Sequence, residues 1–312
     1  MTSTTPACSV VIVIHNSRDT LEACLRALPQ TVQVVLVDNA SSDGGAELAE
    51  EVRPSSRVIR LPRNVGFGGG CNVGVAHASG DVVVLLNPDC VIEPGALEGL
   101  VTRVREIGNA VVGPALLDES GHVRHICRVR STPMQEVVEL LPIPRGRWHS
   151  KLMGRLGRDV PAGSYIYTTG GRVDYVQGAC LALPRHLFHR VGGFDESFFL
   201  YCEEEDLCER IVNLGGQCVY EPAVRVYHAW GGSTRKVPRF ATRQLFRSRT
   251  VLYRKRYGDA KMACIAAMFV CAVIGHSLAW PIKRFFGRAD PRTPAWSSDA
   301  LAGMFQGLAA PR

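Results

Sequence analysis

An α/β fold, with a mostly parallel sheet covered by helices on both faces, is predicted by three observations in this 312-residue chain. Short apolar runs such as "SVVIVI" and "DVVVLL" lack polar alternation, so they read as strands buried on both sides. Helical stretches lie between them, and strands alternating with helices give parallel neighbours. Asp38, Asn64 and Asp89 follow the ends of three such runs, the edge at which ligands bind in sheets of this kind.

The elements follow in order. "SVVIVIHN" (residues 9–16) is a buried strand, and a helix runs from about Asp19 to Ala27. "VQVVLVDNASSDGG" (32–45) is a second strand ending in Asp38, then a turn and a helix start near Asp43. "RVIRLPRN" (57–64) is a short third strand. "GFGGGCNVGVAHASG" is a glycine-led helix fed by a flexible turn, suited to close backbone approach and to anions. The strand of residues 81–86 runs into Asn87-Pro88-Asp89, where proline stops the ladder for want of an N–H. A helix begins near Pro94, and another strand covers residues 110–114. Residues 118–172 show no assignable pattern. "DYVQGACLALPR" (174–185) is a strand, "YCEEEDLCER" opens a helix stopped by Gly215-Gly216, and "QCVYEPAVRVYHAW" is one strand or two.

Charge divides the chain near residue 235. Net charge is +7, yet between Arg225 and Lys261 eleven Lys/Arg face one acid, Asp259. That is either a solvated basic face or a surface for anionic lipid or phosphate. "KMACIAAMFVCAVIGHSLAW" (261–280) follows, flanked by basic residues at both ends, Arg254 to Arg256 and Lys283, Arg284 and Arg288. Its length suits a membrane span, an interfacial helix or a buried packing helix. The expected domains are therefore residues 1–235 and a helical, basic, membrane-associating region, 236–312. Eleven cysteines without a CxxC pair, and no cleavable leader ahead of Ser9, point to a reducing cytosolic setting.

Several residues carry chemistry. Asp38 suits either a hydrogen bond to a base or ribose, or the cap of its own turn. "NVGFGGGCN" fails the dinucleotide fingerprint, since Gly66-Gly68 is followed by Cys71 and Gly68-Gly70 by Val73, so a nicotinamide oxidoreductase is disfavoured. Asp89 is a turn residue or a carboxylate ligand for a hard divalent cation, and His228 is a second ligand or a satisfied structural histidine. Glu203, Glu204, Glu205 and Asp206 stand in one helical first turn, more acid than a cap requires. Their repulsion raises some pKa values toward those of a useful general base. On a helix Glu203 and Asp206 share a face while Glu204 points elsewhere.

The ordered set "VVIVIHNS", "VVLVDNASSDGG", "NVGFGGGCNVG", "LLNPD", "DYVQGACLALPR", "GGFDESFFLYCEEEDLCER" and "YHAWGGS" resembles the family 2 glycosyltransferases of GT-A fold, in their bacterial rhamnosyltransferase-like branch. It covers roughly residues 9 to 235. The resemblance implies a Rossmann-like sheet with a nucleotide-sugar site at Asp38, Asn39, Asn64, Gly66, Phe67, Asn72, Asn87 and Asp89. Asp89 takes the last position of the family's Asp-x-Asp metal motif, with His228 completing a site for Mg²⁺ or Mn²⁺. Asn87 stands where a first metal-motif aspartate is found, which leaves the site one carboxylate fewer. Glu204 occupies the position of the family's usual base, an aspartate there; Glu203 and Asp206 flank it, orienting acceptor or backbone, and Gly178 borders the acceptor.

The implied reaction is inverting transfer, most simply of L-rhamnose from dTDP-L-rhamnose onto a polyprenyl-diphosphate-linked glycan at the cytoplasmic face of the membrane. No nucleic acid partner is expected, and a homodimer is an open option. Galactofuranose, glucose or N-acetylglucosamine as the sugar, or an inactive membrane-docked binding protein, are the alternatives.

Overall fold

The computed structural model describes residues 8–140, 160–161, 163–229, 237–285 and 293–311. The chain divides into two units, one of Met1–Arg128, Asp159–Glu196 and Glu203–Lys236, the other of Val129–Arg158, Ser197–Cys202 and Val237–Arg312. The expected seam near residue 235 falls outside the described residues, and the second unit also takes in two segments from the body of the chain.

The first unit is an α/β sheet. Its elements are β1 (Cys8–Ile14), α1 (Arg18–Ala27), β2 (Gln33–Asp38), α2 (Gly45–Val52), β3 (Arg57–Arg60), α3 (Gly66–Ala76), β4 (Val82–Leu86), β5 (Cys90–Ile92), α4 (Ala96–Ile107), β6 (Ala110–Leu117) and β7 (Cys127–Arg128). The second unit's α5 (Pro133–Leu140) intervenes, and the first resumes with α6 (Ile166–Thr169), β8 (Gly171–Val173), β9 (Tyr175–Val176), β10 (Cys180–Pro184), α7 (Arg185–Arg190), α8 (Glu203–Asn213) and β11 (Gln217–His228). "DYVQGACLALPR" is thus two strands with a turn at Gln177–Ala179, and part of the unassigned 118–172 region is ordered.

Strand order is β3-β2-β1-β4-β10-β6-β11-β5, with β8 beside β11. Every residue of β1, β4 and β6 is buried, as expected of strands covered on both faces. Pairing is parallel from β3 to β4, and β10 enters antiparallel between β4 and β6. β6 therefore runs with β4, and β11 pairs parallel to β6. The polarity decides where the chemistry collects. The carboxyl ends of β1, β2, β4 and β11 and the start of β10 share one edge of the sheet. β5 begins there too, because Cys90 pairs with His228 across the antiparallel β11–β5 ladder.

The glycines of α3 serve packing rather than the flexible turn the sequence suggested. A Cβ on Gly70 would lie 2.7 Å from Val13 Cγ1, one on Gly74 would overlap Val11 Cγ1, and one on Gly68 would lie 2.9 Å from Phe194 Cβ. The bare helix face lets α3 lie directly on β1.

The second unit is helical: α5, α9 (Pro238–Phe285) and α10 (Thr293–Leu308). α9 is two rods meeting at Gly258, whose φ of 78° and ψ of 168° no α-helix contains. Phe246, Tyr253, Met262, Phe269, Ala300 and Met304 form its core. Buried Asp299 binds Arg239 at 2.9 Å and Arg243 at 2.7 Å, Arg247 donates to Ser197 O, Arg254 to Gly307 O and Arg256 to Ser131 O. Those five cations of the basic cluster have internal partners, so the cluster is in part a set of helix staples. The second rod still turns Cys264, Met268, Cys271, Ile274 and Leu278 to the outside, an apolar face at helical spacing. Of this helix, 38 residues (Pro238–Gly275) contain a window long and apolar enough to cross a membrane, and 28% of that window is buried.

Candidate active site

The first part of the shared edge is built by amides. Asp38 ends β2 and its carboxylate accepts from Ser41 N–H at 2.8 Å, so the turn-capping role is realised. Asn39 is 2% exposed; its side chain donates to Gly66 O at 2.9 Å and accepts from Val65 N–H at 2.8 Å. Asn64 accepts from Gly66 N–H at 2.9 Å. Asn39 and Asn64 thus fix the entry to α3 and leave Phe67 half-buried on its first turn. Asn72 is turned elsewhere: its amide clamps the backbone of Phe194, donating to the carbonyl at 2.9 Å and accepting from the N–H at 2.8 Å. This amide is occupied in structure rather than presented to a nucleotide. Sequence reasoning passed over the lacing of the two adjacent loops. Asn16 accepts from Ser42 N–H at 2.8 Å, and Asp43 accepts from Arg18 N–H at 2.8 Å.

The second part surrounds Asp89. Pro88 ends β4, but Asn87 N–H still reaches Ala179 O at 2.9 Å, and Cys90 N–H returns to Asn87 O at 3.1 Å, closing a tight turn. Asp89 O accepts from Ala229 N–H at 3.0 Å, while Asp89 Oδ1 and His228 Nε2 stand 3.2 Å apart. Two ligands of one ion at about 2.1 Å lie about 3.0–3.4 Å from each other, so this carboxylate and imidazole are spaced to share a divalent cation. Carboxylate and imidazole are also a donor set such ions accept.

The third part is the start of α8. Glu203 is 5% exposed and its Oε2 is buried without a hydrogen-bond partner. Burial, and then the neighbouring Glu204, push its pKa well above the carboxylate range. Glu204 is half-buried; burial pushes its pKa up to about 7, against hydrogen bonds from its own N–H and from Gly178 N–H and the nearby Arg128 charge. Glu204 Oε2 is likewise buried without a partner. Asp206 differs, binding Arg210 at 2.8 Å while that guanidinium also donates to Val191 O and Gly193 O. It orders the loop before α8 and lends no free carboxylate to an acceptor.

One turn joins the second and third parts. Gly178 holds Glu204 through its N–H, and a Cβ there would lie 3.5 Å from Glu204 Cβ. The next residue, Ala179, offers its carbonyl to Asn87 N–H and, at 3.4 Å, to the Cys90 thiol. The first part touches the third as well, since a Cβ on Gly68 of α3 would lie 3.7 Å from Glu203 Cβ. A carboxylate half-ionised near neutrality, a pair of metal-type donors and a polar loop cradle thus occupy one sheet edge, the parts of a group-transfer site.

The sequence profile of glycosyl transferase family 2 matches residues 9–171. The chain belongs to that family. Among relatives, the N-acetylglucosaminyl-diphospho-decaprenol L-rhamnosyltransferase of Mycobacterium tuberculosis is 29% identical over 249 residues, 73% of this chain and 78% of its own length. Rhamnosyltransferase WbbL of Escherichia coli is 28% identical over 230 residues, 70% and 82% of the two chains. These relatives support the rhamnosyltransferase-like branch of family 2.

The solved structures support the GT-A fold. The mannosyltransferase PcManGT of Pyrobaculum calidifontis, in complex with GDP-Man and Mn²⁺, superposes with a TM-score of 0.59 at 15% identity, covering 98% of this chain and 88% of that one. GalNAc-T7 with UDP, GalNAc and Mn²⁺ gives 0.56 at 18% identity over 81% of this chain, which spans about half (48%) of GalNAc-T7. This family 2 member is a glycosyltransferase.

Proposed function

We propose that this glycosyltransferase moves L-rhamnose from dTDP-L-rhamnose, with inversion, onto a glycan carried by a polyprenyl diphosphate at a membrane surface. The observation that carries the reading is the Gly178–Ala179 turn, which holds Glu204 with one residue and the Asn87–Cys90 turn with the next. The proton-accepting group and the diphosphate end of the donor site are thereby set by one rigid piece of backbone. The names of the mycobacterial and Escherichia coli relatives support the sugar and the lipid-diphosphate acceptor. The apolar outer face of α9 supports membrane contact.

In this reading the loop of Asn39, Asn64 and Gly66 receives the nucleotide, with Phe67 beside it. Asp89 and His228 would hold a divalent cation, Mg²⁺ or Mn²⁺, whose positive charge offsets that of the departing nucleoside diphosphate. Glu204 does the proton work. Its carboxylate takes the proton of the acceptor hydroxyl while that oxygen bonds to the anomeric carbon and the bond to the diphosphate breaks. A single displacement inverts the anomeric configuration. Gly178 N–H fixes the carboxylate, and Oε2, without a hydrogen-bond partner, leaves a lone pair for the proton in this reading. A base with a pKa near neutrality matches its working pH.

A donor screen tests the reading. The full chain is incubated with membranes bearing a lipid-linked acceptor and with labelled dTDP-rhamnose, UDP-galactofuranose, UDP-glucose, UDP-N-acetylglucosamine or GDP-mannose. Transfer from dTDP-rhamnose, with the others at background, is expected. Transfer from a different sugar overturns the donor assignment, and transfer only to soluble glycans overturns the lipid acceptor.

A further inference from the structure

Cys90 is fully buried, and its position says more than a core thiol requires. It stands opposite His228 in the antiparallel β11–β5 ladder, so the two side chains leave the same face of the sheet with Cβ atoms about 5 Å apart. Asp89 precedes it and is tied at its carbonyl to Ala229 N–H. The Cys90 Sγ, a carboxylate oxygen of Asp89 and a ring nitrogen of His228 all lie within 4.8 Å of one another. Exposure grades across the three, from 0% for Cys90 to 7% for the His228 and 14% for the Asp89 side chain. The three donors therefore run from the buried sulfur outward to the Asp89 carboxylate, the most exposed of them. The thiol donates to Ala179 O at 3.4 Å, which fixes it at the buried end of the cluster.

We propose that Cys90 is a third ligand of the Asp89–His228 site and that the free chain binds a thiophilic divalent ion, Zn²⁺ or Co²⁺, far more tightly than Mg²⁺. This rests on the reading that Asp89 and His228 hold a cation, and adds a donor to it. Mg²⁺ wants oxygen ligands, and with Asn87 in place of a second carboxylate this cluster offers it only one. Sulfur and imidazole suit Zn²⁺ and Co²⁺, and three protein ligands with an open fourth position are a common arrangement for such ions. On binding, the thiol S–H bond breaks, its proton passes to solvent, and the sulfur electron pair forms the bond to the ion; nothing is oxidised or reduced. A hard ion still depends on donor phosphates to complete its coordination, whereas the thiophilic ion binds without nucleotide.

The test uses the full chain with Cys264→Ser and Cys271→Ser, which removes the exposed thiols on α9. Co²⁺ titrated without nucleotide is expected to give a thiolate-to-cobalt charge-transfer band in the near ultraviolet, saturating at one ion per chain and bleached by Zn²⁺. Cys90→Ser abolishes that band and weakens Zn²⁺ binding, measured against a chromophoric chelator, by about tenfold or more. Cys90→Ala is the second variant, and circular dichroism establishes that each is folded. Cys208→Ser leaves the band intact. A charge-transfer band that survives in folded Cys90→Ser or Cys90→Ala, or is absent from the parent chain, overturns the proposal. Visible cobalt bands that need His228 but lack charge transfer leave the Asp89–His228 reading standing and remove Cys90. No binding of Co²⁺ or Mn²⁺ even with dTDP removes both.

Discussion

Asp299, in the helical unit, is 1% exposed and is met by two arginines, Arg239 at 2.9 Å and Arg243 at 2.7 Å. Glu203, in the sheet unit, is 5% exposed and has no ion pair among the described residues, and Glu204 beside it accepts from backbone N–H groups and meets Arg128 only as a nearby charge. The arginines hold the Asp299 carboxyl below the usual carboxylate range, while burial drives Glu203 and Glu204 above it. Asp206, three residues from Glu203 on the same helix, is paired with Arg210 in the manner of Asp299. The chain can therefore neutralise a buried carboxylate and does so for two of these four. Where it withholds a cation, the carboxylate is left with a raised proton affinity, which a general base needs and a purely structural site does not.

Glu204→Gln keeps the shape of the side chain and removes the base. Turnover should fall by about 10²–10⁴-fold while the folded spectrum is unchanged. The pH profile tests the same group: kcat/KM of the parent should rise about tenfold per pH unit below neutrality and level off above about 7, as Glu204 ionises. A folded Glu204→Gln enzyme turning over at near parental rate, or a profile flat from pH 5 to 8, would remove Glu204 as the base.

How much of this was readable before the fold was known differs between the two units for the same physical reason. In the sheet unit, saturated strands such as β1 and β4 announce themselves locally, and parallel order then places Asp38, Asn64 and Asp89 on one edge. The acidic cluster stood out because four acids in one helical turn conflict with ordinary capping, and the family resemblance singled out Glu204 within it. What could not be read were partners set by register and by turns. Cys90 meets His228 across 138 residues of chain, and Gly178 reaches Glu204 through a turn inside what read as one continuous strand. Asn72 was misleading for a related reason: the family resemblance implied a nucleotide contact, yet the amide is spent on Phe194.

In the helical unit the basic cluster was plain, but its pairing with Asp299, Ser197 and Ser131 is long-range and leaves no periodic trace. The segment before α8 shows the same limit. Tyr201 and Cys202 both adopt left-handed backbone, φ 69° and 68°, at about 1–2 kcal/mol each, and non-glycine residues give no sequence warning of it. Leu200 O accepting from Ser248, and Phe198 buried beside Val251 and Leu252, hold the segment in that conformation.

Asp299→Asn tests the paired carboxylate. It removes the charge that two partly exposed arginines share, so the loss should be about 1.5–3 kcal/mol, the range for hydrogen bonds to charged groups. Thermal unfolding of the full chain measures it, and an unchanged melting temperature would mean that Asp299 does not hold α9 and α10 together. Because the Asp299 carboxyl lies below its usual value, its contribution is present above the ordinary carboxylate range and is lost as pH falls through the folded value. The parent and the variant should therefore converge in stability only in acid.

Glu203 gives the smallest effect and the opposite sign. Its folded pKa is raised, so the folded chain holds a proton that the unfolded chain gives up above about pH 4.5. Stability from this group is full below that pH and is lost as pH rises toward the folded value. Glu203→Gln removes the ionisable group without changing its volume. The variant should then match the parent near pH 4 and exceed it in stability at pH 8. Melting curves at the two pH values read this directly. A variant less stable than the parent at pH 8 would show that Glu203 is ionised and stabilised in the fold, and that the contrast with Asp299 rests on Glu204 alone.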